Sequence, residues 1–205
     1  TEDILLTYIS PERRLRIFRY VHTVDRKLSL YAALLARMAL LKHTSLTMDE
    51  LQFQYKPNHK PVLLTNSSID FSFSHTRNAI LCCVSTNNTV GADIETFGEA
   101  PYQIMNMVFH PKEIEYISSE TKNEAQKRFF YIWTRKEAYT KRKGTGLVCD
   151  LTNINTLDPS IAASLHSWEI DNYICSVCGD FTIPPIPQQI SMNDVFEFFT
   201  GCLFS

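Results

Sequence analysis

Two long helical stretches, each followed by a pair of strand-like runs, constrain this chain more than any other feature. From Asp25 to His43 the run RKLSLYAALLARMALLK carries Leu30, Leu34, Met38 and Leu41 along one stripe, the spacing of a helix with one buried side. A second helix is expected roughly from Lys122 to Lys143, with Gly144 as its stop. Three strand candidates follow the first helix: IDFSFSH, AILCCVS and VGADIE, separated by Asn78 and by Asn87-Asn88. SLHSWEI and NYICSVCG follow the second. KLSLYAALLARMALLK from Lys27 lies over KRFFYIWTRKEAYTKR from Lys127, and FSHTRNAILCCVS lies over SWEIDNYICSVCG at a similar offset. Identities are few, so pattern alone leaves two unrelated α+β halves as an equal alternative. A pseudo-symmetric pair, residues 1–96 and 97–205, would place a ligand site in the cleft between them.

The remaining segments are simpler. ILLTYI reads as a strand and SPERRLRIFRY as a basic lead-in to the first helix. FHPKEIEYI reads as short helical pieces with Pro111 at a helix start. The tail carries closely spaced prolines and ends on the apolar run DVFEFF.

Charge and hydropathy narrow the class. The formal net charge is −2, so no global basic field favours nucleic acid. An anionic ligand would need a local cluster of basic residues. No apolar run approaches the ~20 residues needed to cross a bilayer. Glu2 and Asp3 stand where a signal peptide would be basic, so a cytoplasmic protein without a membrane partner is expected. Cys175 and Cys178 form a C-x-x-C, but on a strand, residues three apart face opposite sides and cannot chelate together. Buried, reduced thiols are the expected reading.

The chemistry-bearing residues are local. Asp93 and Glu95 of Gly91-Ala92-Asp93-Ile94-Glu95 lie two apart on a probable strand, so both carboxylates point to one side. Each raises the cost of ionising the other, and a hard cation between them offsets that cost. A solvated D-x-E at a strand end is the commoner origin of such a pair. Trp133, Glu137 and Lys141 share one helical stripe. An exposed Glu–Lys pair at that spacing is an ordinary surface feature, but the adjacent Trp argues for a covered face. Arg142, Lys143 and the Gly144-x-Gly146 turn extend the positive charge. Ser74 and His75 end a strand, Lys60 precedes Pro61, and Arg13, Arg14, Arg16 and Arg19 form a basic run. Arginine suits phosphate through its forked donors.

Taken in order, S-P-E-R-x-x-R, a helix, K-P, F-S-H, G-x-D-x-E, W-x-x-K-E-x-x-x-K and G-x-G resemble the 4′-phosphopantetheinyl transferases. The resemblance is to the long, surfactin-synthetase-activating type and not to the short trimeric holo-acyl-carrier-protein synthases. It covers nearly the whole chain from Ser10. It implies an α+β pseudo-dimer of two similar halves, each a small antiparallel sheet packed with a long helix, with coenzyme A in the cleft. It implies Asp93, Glu95 and Glu137 as Mg²⁺ ligands, and Lys141 at the pyrophosphate of coenzyme A. It also implies Ser74 and His75 at its phosphates, Arg13 and Arg16 at the 3′-phosphate, and Ser29 and Lys60 at the nucleotide. Glu137 is the implied general base, acting directly or through water. The reaction implied is transfer of 4′-phosphopantetheine to a serine of an apo acyl or peptidyl carrier protein, with release of 3′,5′-ADP, by a monomer. Ala92, Arg13, Arg16 and Ser29 are mild departures from the family pattern, and none removes a required function. Tyr102, Ile104 and Met107 are candidates for carrier docking, or equally for the core.

Three other readings weigh less. A coenzyme A-binding module without turnover would not need the carboxylate set. A nucleotide kinase would need a G-x-x-x-x-G-K-[ST] loop, which the sequence lacks. A scaffold protein would account for the apolar tail alone.

Overall fold

A computed structural model describes residues 2–55, 60–144 and 150–201. The chain opens on a 3₁₀ helix, Glu2–Tyr8, and not on the expected strand. The reason is spacing: Leu5 and Ile9, four apart, are the buried positions, and Leu6 and Tyr8 pack beside them. The basic lead-in is itself a helix, α1 (Pro11–Phe18). Ser10 caps it by accepting from the Arg13 amide, and Pro11 occupies the first turn, where a missing N–H costs nothing.

Helix α2 (Thr23–His43) forms as its stripe predicts, with Leu30, Leu34 and Met38 buried. Two short strands, β1 (Phe53–Gln54) and β2 (Val62–Leu63), pair antiparallel. Strands β3 (Asp70–Thr76) and β4 (Ala79–Ser85) form an antiparallel hairpin whose turn holds Arg77 at φ 29° and Asn78. Phe71 and Phe73 of β3, with Cys82 and Val84 of β4, pack on Ala36 and Leu40 of α2.

Strand β5 (Gly91–Thr96) does not join that hairpin. It pairs antiparallel with β7 (Tyr173–Cys178), which also pairs with β6 (Leu165–Ile170), giving the order β5-β7-β6. Helix α5 (Lys122–Lys143) packs across this sheet along β5 and β7. It ends where expected, with Gly144 in the left-handed region at φ 68°. Gly146 lies outside the described residues. Ahead of α5 come α3 (Met105–Val108) and α4 (Pro111–Ser118), the latter starting on Pro111 as expected. Helix α6 (Pro159–Ala162) precedes β6, and the apolar tail forms α7 (Met192–Gly201). The fold is thus α+β, with a long helix and a strand hairpin in each half. In the register, Cys175 lies opposite Ile94 and Cys178 opposite Gly91, three apart and on opposite faces. Both are buried free thiols.

Each half also lends an element to the other. Helix α7 returns to α2, where Val195 and Phe199 pack with Leu5, Ile9, Leu30 and Leu34. The β3-β4 hairpin meets the β5-β7-β6 sheet along β3 and β5, where side chains stand in for a backbone ladder. The Val90 amide donates to Asp70 Oδ2 at 2.8 Å, and the Ala92 amide donates to Ser72 Oγ at 3.0 Å. Asp70, Ser72, Ser74 and Thr76 alternate with Phe71, Phe73 and His75, so one face of β3 is a polar seam and the other is core.

Candidate active site

Gly91 starts the site by allowing close approach. A Cβ there would stand 1.8 Å from the carbonyl oxygen of Ala138 on α5. Only a residue without a side chain lets β5 lie this near the helix. The approach brings Asp93 and Glu95, which share a face of β5, against the Trp133–Glu137–Lys141 stripe of α5. Lys141 Nζ donates to Asp93 Oδ1 at 2.6 Å and to Ser74 Oγ at 3.1 Å, and Ser74 Oγ donates to the same Oδ1 at 2.7 Å. Asp93 Oδ2 is buried without a hydrogen-bond partner.

Burial dominates the electrostatics. It pushes the Asp93 carboxyl above its usual range despite Lys141, Ser74 and the Ile94 amide. Burial and the neighbouring Asp93 push Glu95 up to about 7, against hydrogen bonds from Thr76 and Trp133 and the charge of Lys141. Burial and Asp93 also raise Glu137, which Lys141 opposes. Three carboxyls that each resist ionisation, with one buried oxygen unbonded, form an oxygen-only set suited to a hard divalent cation. Among the described residues, no group of three His, Cys, Asp or Glu side chains is already arranged as a metal site. Lys141 occupies part of that role.

Basic groups gather on the other side of Ser74. Arg13 is buried, donating through Nη2 to the carbonyl and to Oγ of Ser29, both at 3.1 Å. Its guanidinium carbon lies 5.9 Å from the Tyr55 ring centroid and 5.7 Å from that of Phe73, and its Nε is buried without a partner. Burial, with Arg13 and Lys141 nearby, pushes His75 below its ordinary value, while Asp25 opposes the shift. Arg16 is exposed one turn beyond Arg13 and repels it electrostatically. Arg16 disfavours charge on Arg13, and Arg13 disfavours charge on His75, so an anion placed among them would relieve both.

Most of the residues picked from sequence therefore converge: Asp93, Glu95, Glu137, Lys141 and Ser74 in one cluster, and Arg13, Ser29, His75 and Arg16 beside it. Lys60 is placed on the seam, where it ion-pairs with Asp70 and donates to the Val90 carbonyl at 2.7 Å. Arg142 is engaged with Asp180 at 2.5 Å, and Lys143 lies over the Tyr139 ring. Tyr102 and Ile104 pack against the cluster around Phe129, while Met107 is exposed. Thr76 and the Trp133 indole are the partners of Glu95 that the motifs do not single out, although Thr76 is two residues from Ser74 on the same face. Lys136, inside the W-x-x-K-E motif, points away from the site. It ion-pairs with buried Glu113 at 2.8 Å and donates to the carbonyls of Leu151 and Ile154.

Comparison with known proteins gives the family. The family model described as "4′-phosphopantetheinyl transferase superfamily" matches residues 89–181, and that described as "4′-phosphopantetheinyl transferase, N-terminal" matches residues 3–87. The 4′-phosphopantetheinyl transferase gsp of Aneurinibacillus migulanus is 31% identical over 192 residues, which is 88% of this chain and 80% of the relative. The 4′-phosphopantetheinyl transferase Sfp of Bacillus subtilis (strain 168) is 24% identical over 200 residues, covering 91% of this chain and 88% of the relative. The 4′-phosphopantetheinyl transferase HetI of Nostoc sp. is 31% identical over 143 residues, 62% of this chain and 60% of the relative. With a polar-faced β3 and a glycine-tightened β5 bringing the two matched regions together at one site, this chain belongs to the 4′-phosphopantetheinyl transferase superfamily and is an enzyme of that class, of the Sfp and gsp type.

Proposed function

We propose that the chain transfers the 4′-phosphopantetheine group of coenzyme A to a serine of an apo acyl or peptidyl carrier protein, in a Mg²⁺-dependent reaction that releases 3′,5′-ADP. The observation that carries this reading is the junction at Ser74. On one side stand three carboxyls that resist ionisation, with Asp93 Oδ2 buried and unbonded. On the other stand Arg13 and His75, with Lys141 between the two groups. A metal pyrophosphate and a separate phosphate monoester call for that division.

In this reading the cleft between residues 1–96 and 97–205 holds coenzyme A. Arg13, Arg16 and His75 take the 3′-phosphate, with Ser29 holding the Arg13 fork in place. Lys60 sits at the nucleotide end through its hold on Asp70. Asp93, Glu95 and Glu137 hold Mg²⁺, which when bound supplies positive charge at the pyrophosphate. Lys141 and Ser74 face the same pyrophosphate oxygens. Glu137 accepts the serine proton directly or through water as the hydroxyl attacks the phosphorus bearing pantetheine. The bond from that phosphorus to the oxygen shared with the 5′-phosphate breaks, and 3′,5′-ADP leaves. Positioning and charge stabilisation dominate such a transfer.

The enzyme in this reading is a cytoplasmic monomer. Burial pushes the Cys82 thiol to about 12 and the Cys83 thiol to about 11, so neither is poised for oxidation. No helix of the described residues is long and apolar enough to cross a membrane.

The test is the intact mass of an apo carrier protein after incubation with this protein, coenzyme A and Mg²⁺. A gain of one phosphopantetheine, abolished by chelation, is expected. No gain on acyl, polyketide and peptidyl carriers with the folded protein would replace this reading with that of a coenzyme A-binding module.

A further inference from the structure

Behind the carboxylate strand lies a cavity of about 770 Å³. Its floor is Ile94 of β5 and Cys175 of β7, which face each other in the register. Asp93 and Glu95 point from β5 to the other side, so this cavity and the carboxylate cluster are separated by one strand. Leu28 and Tyr31 of α2 and Leu81 of β4 form its walls. Residues 187–192 form the roof.

Three observations point to a ligand. The volume lies within the range of small-molecule sites. Apolar side chains around the opening are left partly in water: Val24 is 58% exposed, Met192 46% and Ile170 41%. Residues 187–190 of the roof are also loosely tied, because among the described residues no hydrogen bond joins residues 181–190 to the rest of the chain, whereas Ser191 caps α7. Pro184, Pro185 and Pro187 withhold backbone donors from this strap, and no strand ladder forms over residues 184–190.

The rim decides the class of ligand. Lys27 and Asp171 place one cation and one anion there, and Asn78, Gln188 and Gln189 add amides that both donate and accept. An apolar chamber with a charge-balanced, amide-rich mouth disfavours phosphates and suits an uncharged amphipath. We propose that this cavity is a second ligand site, taking a neutral molecule with an aliphatic or aryl body and one hydrogen-bonding end. The ligand lies against the back of Ile94, under the Ile190 roof. The site is independent of the coenzyme A reading, since it shares no side chain with the carboxylate or basic clusters.

The test titrates the whole chain with the neutral fluorophore prodan. A single saturable site is expected, with a blue-shifted emission that 1-decanol reverses at least tenfold more effectively than decanoate or decyltrimethylammonium. Leu28→Trp fills the chamber and Ile190→Asp charges its roof, and each should weaken prodan by tenfold or more. If Leu28→Trp does not fold, Ile190→Asp on the exposed strap decides alone. Both variants should keep wild-type affinity for 3′,5′-ADP, which reads the basic cluster separately. Unsaturable binding, wild-type binding in the folded variants, or equal displacement by the charged amphipaths would overturn the proposal, whatever the outcome of the transfer assay.

Discussion

Lys141 and Asp93 form an ion pair at 2.6 Å in which only one carboxylate oxygen is engaged; the other is buried and unbonded. A buried carboxylate that is half satisfied depends on its single counter-charge. Lys141→Met should therefore destabilise the protein by about 3 kcal/mol, the low end for a broken buried pair because the lysine is about a quarter exposed. Urea unfolding in chelator measures this. Millimolar Mg²⁺ should return part of the lost stability, and a midpoint indifferent to Mg²⁺ would count against the three carboxyls as a cation site.

Glu137→Gln keeps the size of the side chain and removes its charge. Glu137 makes no ion pair among the described residues at salt-bridge distance, so the circular dichroism and melting temperature should stay near wild type. Carrier modification should fall to background, and calorimetric Mg²⁺ binding should weaken. Asp93→Asn should do the same to transfer. Wild-type turnover in either variant would refute the assignment.

His75 sits among Arg13 and Lys141 with its ring pushed below the ordinary value. A phosphate bound there would favour the imidazolium and raise its pKa, so binding takes up a proton. The sign follows: the contribution of His75 to affinity is fully present below its depressed free value and is lost as pH rises through the raised bound value. Because a phosphate monoester loses charge below about pH 6, the window to examine is about 6.5 to 8. The affinity for 3′,5′-ADP should fall across that window in the wild type and flatten in His75→Ala. The variant should also weaken coenzyme A about tenfold, roughly 1.4 kcal/mol, while sparing dephospho-coenzyme A. Equal losses for both would move His75 away from the 3′-phosphate.

Lys136 and Glu113 are both almost fully buried, and Glu113 also accepts from the Thr156 amide and hydroxyl, each at 2.7 Å. This pair ties α4 and the segment after residue 150 to α5. Lys136→Met should cost about 3–5 kcal/mol by urea unfolding, because it strands a buried carboxylate and two carbonyls. At a temperature where the variant is folded, its affinity for 3′,5′-ADP should match wild type. A loss of nucleotide affinity larger than the loss of stability would place Lys136 in the site.

Much of this arrangement is legible in the residues themselves. The stripe of Leu30, Leu34 and Met38 specifies α2, and Gly144 stops α5 by the ordinary chemistry of a helix end. The two-residue spacing of Asp93 and Glu95 fixes their common face. Other features depend on partners distant in sequence. ILLTYI has the composition of a strand, yet the return of α7 rewards a helical register for Leu5 and Ile9. Lys60 next to a proline carries no sign that Asp70 and the Val90 carbonyl will engage it. Lys136 and Glu137 are neighbours in one motif, but a helix turns adjacent residues by ~100°, so one holds structure and the other faces the site. The alternation of Asp70, Ser72, Ser74 and Thr76 was the readable sign that β3 has a polar neighbour.

The exchange of β5 and α7 between the halves makes the chain resemble two interlocked hands. Cut between Thr96 and Ala100, it would yield an N-terminal fragment whose α2 lacks Val195 and Phe199, and a C-terminal fragment whose sheet lacks its edge strand and Asp93 and Glu95. Neither piece holds a whole core or a whole carboxylate set, so what looks like a duplication is mechanically a single folding unit, and the acidic cluster can assemble only when both pieces are present.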